Sequence, residues 1–229
     1  MKQIGIIGGM SWESSAMYYR LINSYVKQRL GGLHSARILL NSVDFAEISQ
    51  WQHENNWDAL TRAMVQAAKQ LEVGGADGVA IATNTMHKVA PEVEKALNIP
   101  LLHIADATAS VCERGGINKA ALTGTRFTME QAFYTERLQG YGITVLTPDM
   151  AGRQVIHDII YNELCKGETR ASSKEIYQQI IEQMAADGAQ AVILGCTEIG
   201  MLIKSGDVSI PVLDTTEIHC ESIVDFMLG

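Results

Sequence analysis

The sequence has no run of basic residues. Its 18 lysines and arginines are outnumbered by 26 acidic residues, for a formal net charge of −8 and a pI near 5.2. A protein that tracks a phosphate backbone needs the opposite balance, so nucleic acid is not an expected partner. Cysteine is sparse as well. Cys112, Cys165, Cys196 and Cys220 lie far apart and form no CxxC pair. They read as free thiols of a reducing compartment, not as a disulfide framework or a zinc site. The six histidines are scattered, without HxH or HExxH, so no metal site is indicated. Gly8 and Gly9 stand in GIIGGM, which lacks the GxGxxG spacing of a dinucleotide loop and reads as a tight turn. Long apolar runs are missing too. The first, MKQIGIIGG, is too short for a signal peptide or a membrane helix and reads as a first strand. The expectation is a soluble cytoplasmic protein with no membrane partner.

What is present is a chain of 229 residues, 47% hydrophobic, ample for a substantial core. Short apolar runs alternate with longer amphipathic ones. Candidate strands are 3–7, 37–41, 78–83, 101–104, 120–123, 143–146, 191–195 and 211–214. Between them lie stripes at helical spacing. These are Met17, Leu21, Tyr25 and Leu30, then Trp57, Leu60, Met64, Ala67 and Leu71. Further on come Ile156, Ile159, Ile160 and Leu164, then Ile176, Ile180, Ile181 and Met184. Each reads as a core-facing stripe. Alternating strand and helix predicts an α/β protein with parallel sheets flanked by helices.

The chain also repeats itself. Gly8 to Thr83 spans 75 residues and Gly124 to Cys196 spans 72, while Thr83 to Pro100 spans 17 and Cys196 to Pro211 spans 15. Agreement at these landmarks predicts two similar α/β halves. One is residues 1–98 with 214–229, the other residues 99–213, with Gly115-Gly116 as the soft joint. The final helix is expected to pack back on the first half.

Ligands of open parallel sheets collect at the carboxyl ends of strands. The third strand of each half ends at Thr83 and at Cys196. If the halves face each other about a pseudo-twofold, both side chains look into one cleft. A helix start behind each would favour a carboxylate and lower a thiol's pKa. Asn84, Thr85 and Thr197 add side-chain donors at the same places. Opposed acid and base groups are what a racemase needs: one removes the Cα proton and the other returns one to the opposite face. For Cys196 the bland alternative is a buried, inert thiol. For Cys112, Cys165 and Cys220, on expected helices, packing is the reading. His87, four residues after Thr83, could relay a proton to it, cap a helix or lie on the surface. Glu198 would raise the thiol's pKa if charged, or could orient a water.

IGIIGGMSWESS (4–15), IATNTMHKV (81–89) and ILGCTEIG (193–200) resemble the aspartate/glutamate racemase superfamily, as do NELCKG (162–167) and IPLLHIADAT (99–108). The resemblance spans the whole chain. It implies two similar α/β domains with the active site between them. It also implies catalysis without pyridoxal phosphate or another cofactor, two cysteines as acid and base, and a homodimer as a possible assembly. By this resemblance Cys196 matches the second catalytic cysteine, and Asn84, Thr85 and Thr197 the surroundings of the substrate carboxylate. Met10 and Ser11 match the loop that closes on the substrate. Glu163 recurs beside the lysine of NELCKG, without an assigned role.

The sequence departs from the family pattern twice. The first catalytic cysteine is replaced by Thr83, a far weaker acid, which makes the two faces unequal. Because the second cysteine of related racemases attacks the L-enantiomer, turnover from L is expected to be faster. Aspartate-specific relatives carry an arginine after the second strand, but residues 41–54 here contain neither Lys nor Arg. Gln52 can hydrogen-bond a polar side chain but cannot pair with a charge as Arg does. Lys166 is the best remaining cation, unless it is a solvated helix-end lysine. The expected substrates are therefore Asp, Glu and a broader polar or neutral range. A one-cysteine decarboxylase or isomerase of the same superfamily, similar to arylmalonate decarboxylases, is the alternative, with maleate isomerases and hydantoin racemases as further relatives. A non-catalytic amino-acid-binding protein is another.

Overall fold

A computed structural model describes residues 1–229. The chain divides into two compact units, Met1–Ile104 with His219–Gly229, and Ala105–Ile218. In the first unit the order is β1 (Ile4–Gly8), α1 (Trp12–Leu30), β2 (Ile38–Ser42), α2 (Phe45–His53), α3 (Trp57–Val73), β3 (Gly78–Ile81), α4 (Ala90–Ala96) and β4 (Leu101–Leu102). Next come α5 (Ile104–Arg114), β5 (Lys119–Thr123), α6 (Arg126–Glu130), α7 (Ala132–Gly140), β6 (Thr144–Leu146), α8 (Met150–Asn162), α9 (Ala171–Ala186), β7 (Ala191–Leu194), α10 (Ile199–Leu202), β8 (Val212–Asp214) and α11 (Thr215–Leu228). No helix is long and apolar enough to cross a membrane.

Each unit holds a four-stranded parallel sheet. The strand orders are β2-β1-β3-β4 and β6-β5-β7-β8, the same arrangement twice. All eight strands lie where the apolar runs place them, within a few residues at each end. β4 pairs with β3, so residues 101–102 belong to the first sheet and the units divide a little later than the pattern of repeats suggests. The second division falls inside α11. Gly115-Gly116 is not a joint: it ends α5 within the second unit, where Ile117 N–H bonds the Cys112 carbonyl and Gly116 has a φ of +64°.

The first sheet is covered on both faces, which is why its central strands read as continuous apolar runs. Alternation along β1 sends Ile4 and Ile6 to a cluster with Tyr18, Ile22 and Val26 of α1 and Cys220, Ile223, Val224 and Met227 of α11. Ile7 goes the other way, to Leu60, Met64, Ala67, Ala68 and Leu71 of α3. Gly5 shares that side, where an added Cβ would lie 2.8 Å from the Leu71 Cβ; only glycine lets α3 approach so closely. In the second unit Ala121, Val192 and Leu194 meet Ile156, Ile159 and Ile160 of α8 and Tyr177, Ile181 and Met184 of α9. Each such buried aliphatic side chain contributes about 1.5–3 kcal/mol of transfer free energy.

Two helix stripes differ from expectation. The buried face of α1 is Tyr18, Ile22 and Val26; Leu30 is exposed, and Met17, Leu21 and Tyr25 are half-buried at the margin. In α9 Tyr177 is buried in place of Ile176, which is exposed. Both helices carry two adjacent apolar stripes, and only contact with the sheet decides between them.

Candidate active site

In both sheets the chain leaves the first strand toward one neighbour and the third strand lies on its other side. That is a switch point, where ligand sites form at the carboxyl ends of the strands. In the first unit β1 and β3 run side by side, Ile7 opposite Ile81. The chain continues from β1 into Gly9, Met10 and Ser11, and from β3 into Thr83, Asn84 and Thr85. In the second, β5 and β7 are paired with Thr123 opposite Leu194, and Gly195 and Cys196 come next.

Met10, Ser11, Gln52, Thr83, Asn84 and Thr85 all belong to the first unit. Gly9 holds a φ of +92° and packs against the Val43 backbone, and its N–H bonds the Ser15 hydroxyl at 2.8 Å, so the turn after β1 is rigid. Met10 is buried among the α3-side core residues. Ser11 caps α1: its Oγ accepts the Ser14 N–H at 3.3 Å, and its carbonyl accepts the Ser15 hydroxyl at 3.0 Å. Gln52 is half-buried on α2, and its Nε2 donates to the Met86 sulfur at 3.3 Å, which brings it to the segment after Thr83. Thr83 and Thr85 are half-buried and Asn84 is buried. From Thr83 the chain enters a 3-10 turn, Thr85–Val89, and only then α4. The expected α-helical dipole is therefore not directly behind Thr83.

His87 lies in that turn and is buried, which removes the surface reading. Its Nδ1–H donates to the Thr83 carbonyl at 2.8 Å, and its Nε2 accepts the Ile104 N–H at 3.3 Å. Both nitrogens are occupied by backbone, so the ring does not relay a proton to the Thr83 hydroxyl. Burial, then the neighbouring His103 and His219 rings, hold its pKa well below the ordinary imidazole value.

Lys166, Cys196 and Thr197 belong to the second unit. Cys196 is half-buried and its Sγ–H donates to Glu198 Oε2 at 2.9 Å. The Thr197 hydroxyl donates to the same oxygen at 2.6 Å. Burial pushes the thiol well above the ordinary range, and the Glu198 carboxylate adds to the rise by its charge and its hydrogen bond. The expectation that a helix start lowers this pKa is thus overturned. α10 has a single turn, and burial of the thiol, with the carboxylate bonded to the S–H, outweighs it. Lys166 is exposed in the turn Leu164–Lys166, which packs against α10, so the cation is carried beside the Cys196 segment. Glu163 gains a structural role: it accepts the Ser173 hydroxyl at 2.7 Å and pairs with Arg170 at 3.5 Å, tying this turn to the start of α9.

Several residues near the strand exits were not singled out by sequence reasoning. Tyr177 is buried in the core cluster against which Cys196 packs, and burial and then Cys196 raise its pKa. Thr125, buried after β5, holds the place in the second unit that Met10 and Ser11 hold in the first. The repeat could have found it, since it adjoins Gly124. His103 and His219 come from distant parts of the chain and carry no local signal.

A family model described as Asp/Glu/hydantoin racemase matches residues 7–223. The chain belongs to this family. It is an isomerase of the racemase class. Its fold superposes on a Yersinia pestis protein solved as a candidate Asp/Glu racemase, with 50% identity, a TM-score of 0.97 and full coverage of both chains. An aspartate racemase homologue from Pyrococcus horikoshii OT3 is 34% identical, with a TM-score of 0.90 and full coverage of both. A broad specificity amino-acid racemase of Bacillus subtilis, RacX, is 24% identical over 99% of this chain and 98% of its own.

Proposed function

We propose that this protein is a cofactor-independent amino-acid racemase in which Cys196 removes the Cα proton and the Thr83 side returns one. The observation that carries the reading is positional. Thr83 and Cys196 occupy equivalent places, after the third strand of two sheets with the same strand order. Each is a proton-bearing group at a switch point.

The chemistry is built on the contacts. The Cys196 thiol passes its proton to Glu198, which already accepts the S–H bond. The thiolate then takes the Cα proton, leaving a carbanion. A thiolate made reluctant by burial and by a neighbouring carboxylate is a stronger base than an ordinary one. The substrate ammonium favours the charge transfer by offsetting the new negative charge. Thr83 delivers a proton to the other face, directly or through water, and solvent restores its hydroxyl. Glu198 releases its proton to water, which balances the cycle. A hydroxyl is a poor base, so at saturation turnover from L is faster than from D, with KM differing in the same ratio because the two enantiomers have equal free energy.

Met10, Ser11, Asn84, Thr85 and Thr197 are assigned to the substrate carboxylate and its closing loop, and Gln52 and Lys166 to the side chain. The lack of Lys or Arg over residues 41–54 supports a range beyond Asp and Glu. The broad specificity in the name of the Bacillus subtilis relative supports it too.

The test is proton NMR in D₂O of L-aspartate, L-glutamate, L-homoserine and neutral L-amino acids, with Cys196→Ala as control. Loss of the Cα signal with appearance of the D-enantiomer, absent from the control, is the expected result and ranks the substrates. Equal kcat from L and from D at saturation would overturn the asymmetry. No exchange with any amino acid would overturn the racemase, and malonate-type substrates would be tried next.

A further inference from the structure

Behind Thr83 the first unit buries three imidazoles that the proposed chemistry does not use. His87, His103 and His219 are each at most 4% exposed. The His87 and His103 ring centroids are 4.5 Å apart, and His87 and His219 are 6.0 Å apart. His219 donates from Nε2 to the Leu102 carbonyl at 2.8 Å and accepts the Tyr18 hydroxyl on Nδ1 at 2.8 Å. The two bonds of His87 run to the Thr83 carbonyl on one side and to the Ile104 N–H on the other. No group of His, Cys, Asp or Glu is arranged to hold a metal ion, so the cluster is not a cation site.

We propose that His87 is a positioning residue for the Thr83 side of the reaction, tying the Thr83 backbone to the β4–α5 junction and so aiming its hydroxyl. The link from backbone to hydroxyl is steric. Threonine is branched at Cβ, so χ1 has few open wells and the direction of Oγ1 is set by the orientation of the backbone. A carbonyl held at 2.8 Å by a buried ring fixes that orientation. The bond requires a neutral ring with its proton on Nδ1, because the Ile104 N–H needs Nε2 as acceptor. The His103 and His219 rings facing it, and the Tyr18 hydroxyl behind His219, add no negative charge to favour an imidazolium. In the second unit the matching position, four residues after Cys196, is Gly200, so no ring ties the thiol's backbone in this way.

This inference rests on Thr83 being the second proton-transfer side, and the experiment separates the two. Wild type, His87→Phe and His87→Asn are incubated with L-substrate in D₂O. Deuterium entering L-substrate reports the Cys196 side; D-enantiomer reports the Thr83 side. In His87→Phe, formation of D is expected to fall about ten-fold or more while exchange into L is largely kept. His87→Asn, which can still donate to the Thr83 carbonyl, is expected to recover part of the loss. A fall in both by the same factor, or in neither, overturns the proposal. A wild type without Cys196-dependent exchange removes the underlying reading and the proposal with it. Should the variants not fold, ¹⁵N–¹H spectra of the wild-type histidines decide: a neutral Nδ1–H ring for His87 from pH 6 to 8 is expected, and an Nε2–H ring or a protonated one overturns the proposal.

Discussion

The two units build the same sheet and finish its third strand differently. After β3 the proton-bearing side chain is the Thr83 hydroxyl, and its nearest tie lies behind it: a buried ring holds the backbone carbonyl. After β7 the group is a thiol, and the tie lies in front: a carboxylate bonds the sulfur itself. Four residues on, the first unit places His87 against His103, while the second places Gly200 against Asp214, whose carboxylate would collide with any added Cβ. The two units share a topology because the strand order needs only apolar runs and crossovers. That leaves free the few side chains at each strand exit, and those decide what each unit can do with a proton.

The comparison breaks first at the sulfur. Cys196→Ala should cut Cα exchange by about 10²–10⁴-fold, the usual contribution of a positioned acid or base, as read by NMR in D₂O. Thr83→Cys should erase the chemical difference between the units. Its signature is an L-to-D ratio of kcat at saturation that moves toward one, about ten-fold closer than in wild type; an unchanged ratio would show that Thr83 does not set the asymmetry. Gly200→Ala tests the packing difference. Forcing a methyl against Asp214 should cost about 1–3 kcal/mol of stability, visible as a lower denaturant midpoint. Glu198→Gln should be the mildest for folding. It removes the charge that opposes the thiolate, so the pH profile of Cys196 alkylation should move to lower pH; a profile that stays put would assign the raised thiol to burial alone.

The units should also fail at opposite ends of the pH scale. Buried His87 binds a proton less readily folded than unfolded. Its contribution is therefore complete above the ordinary imidazole pKa of about 6.5 and is lost as pH falls from there. The Cys196 thiol releases its proton less readily folded than unfolded. Its contribution is complete below the ordinary thiol range and is lost as pH rises through it. Equilibrium unfolding measured against pH should show the acid-side loss shrink in His87→Phe and the alkaline-side loss shrink in Cys196→Ala.

The strands were legible because parallel strands covered on both faces read as apolar runs with sharp ends. The repeat was legible because Gly, Thr or Cys, and Pro recur at matched intervals. The faces of α1 and α9 were not, since Met17 and Tyr18, like Ile176 and Tyr177, offer neighbouring stripes of similar apolarity. Cys196 and Glu198 could be seen to be close, but whether the carboxylate accepts the S–H depends on the bend after β7. The histidine cluster was beyond reach, because His87, His103 and His219 meet only through tertiary packing. The helix-dipole expectation failed on length: a 3-10 turn and a single helical turn stand where full helices were assumed.

The bond from Cys196 to Glu198 has a consequence for oxidative damage. Peroxide attacks thiolates, and a sulfur kept as S–H by a neighbouring carboxylate offers little of that form at rest. Thr83 has no sulfur to oxidise, and Cys112 and Cys220 are fully buried. Exposed Cys165 is then the thiol expected to reach sulfinic acid first, with mass spectrometry of peroxide-treated protein reading the order. The same bond that makes the Cys196 sulfur a reluctant thiolate thus shields it from oxidants.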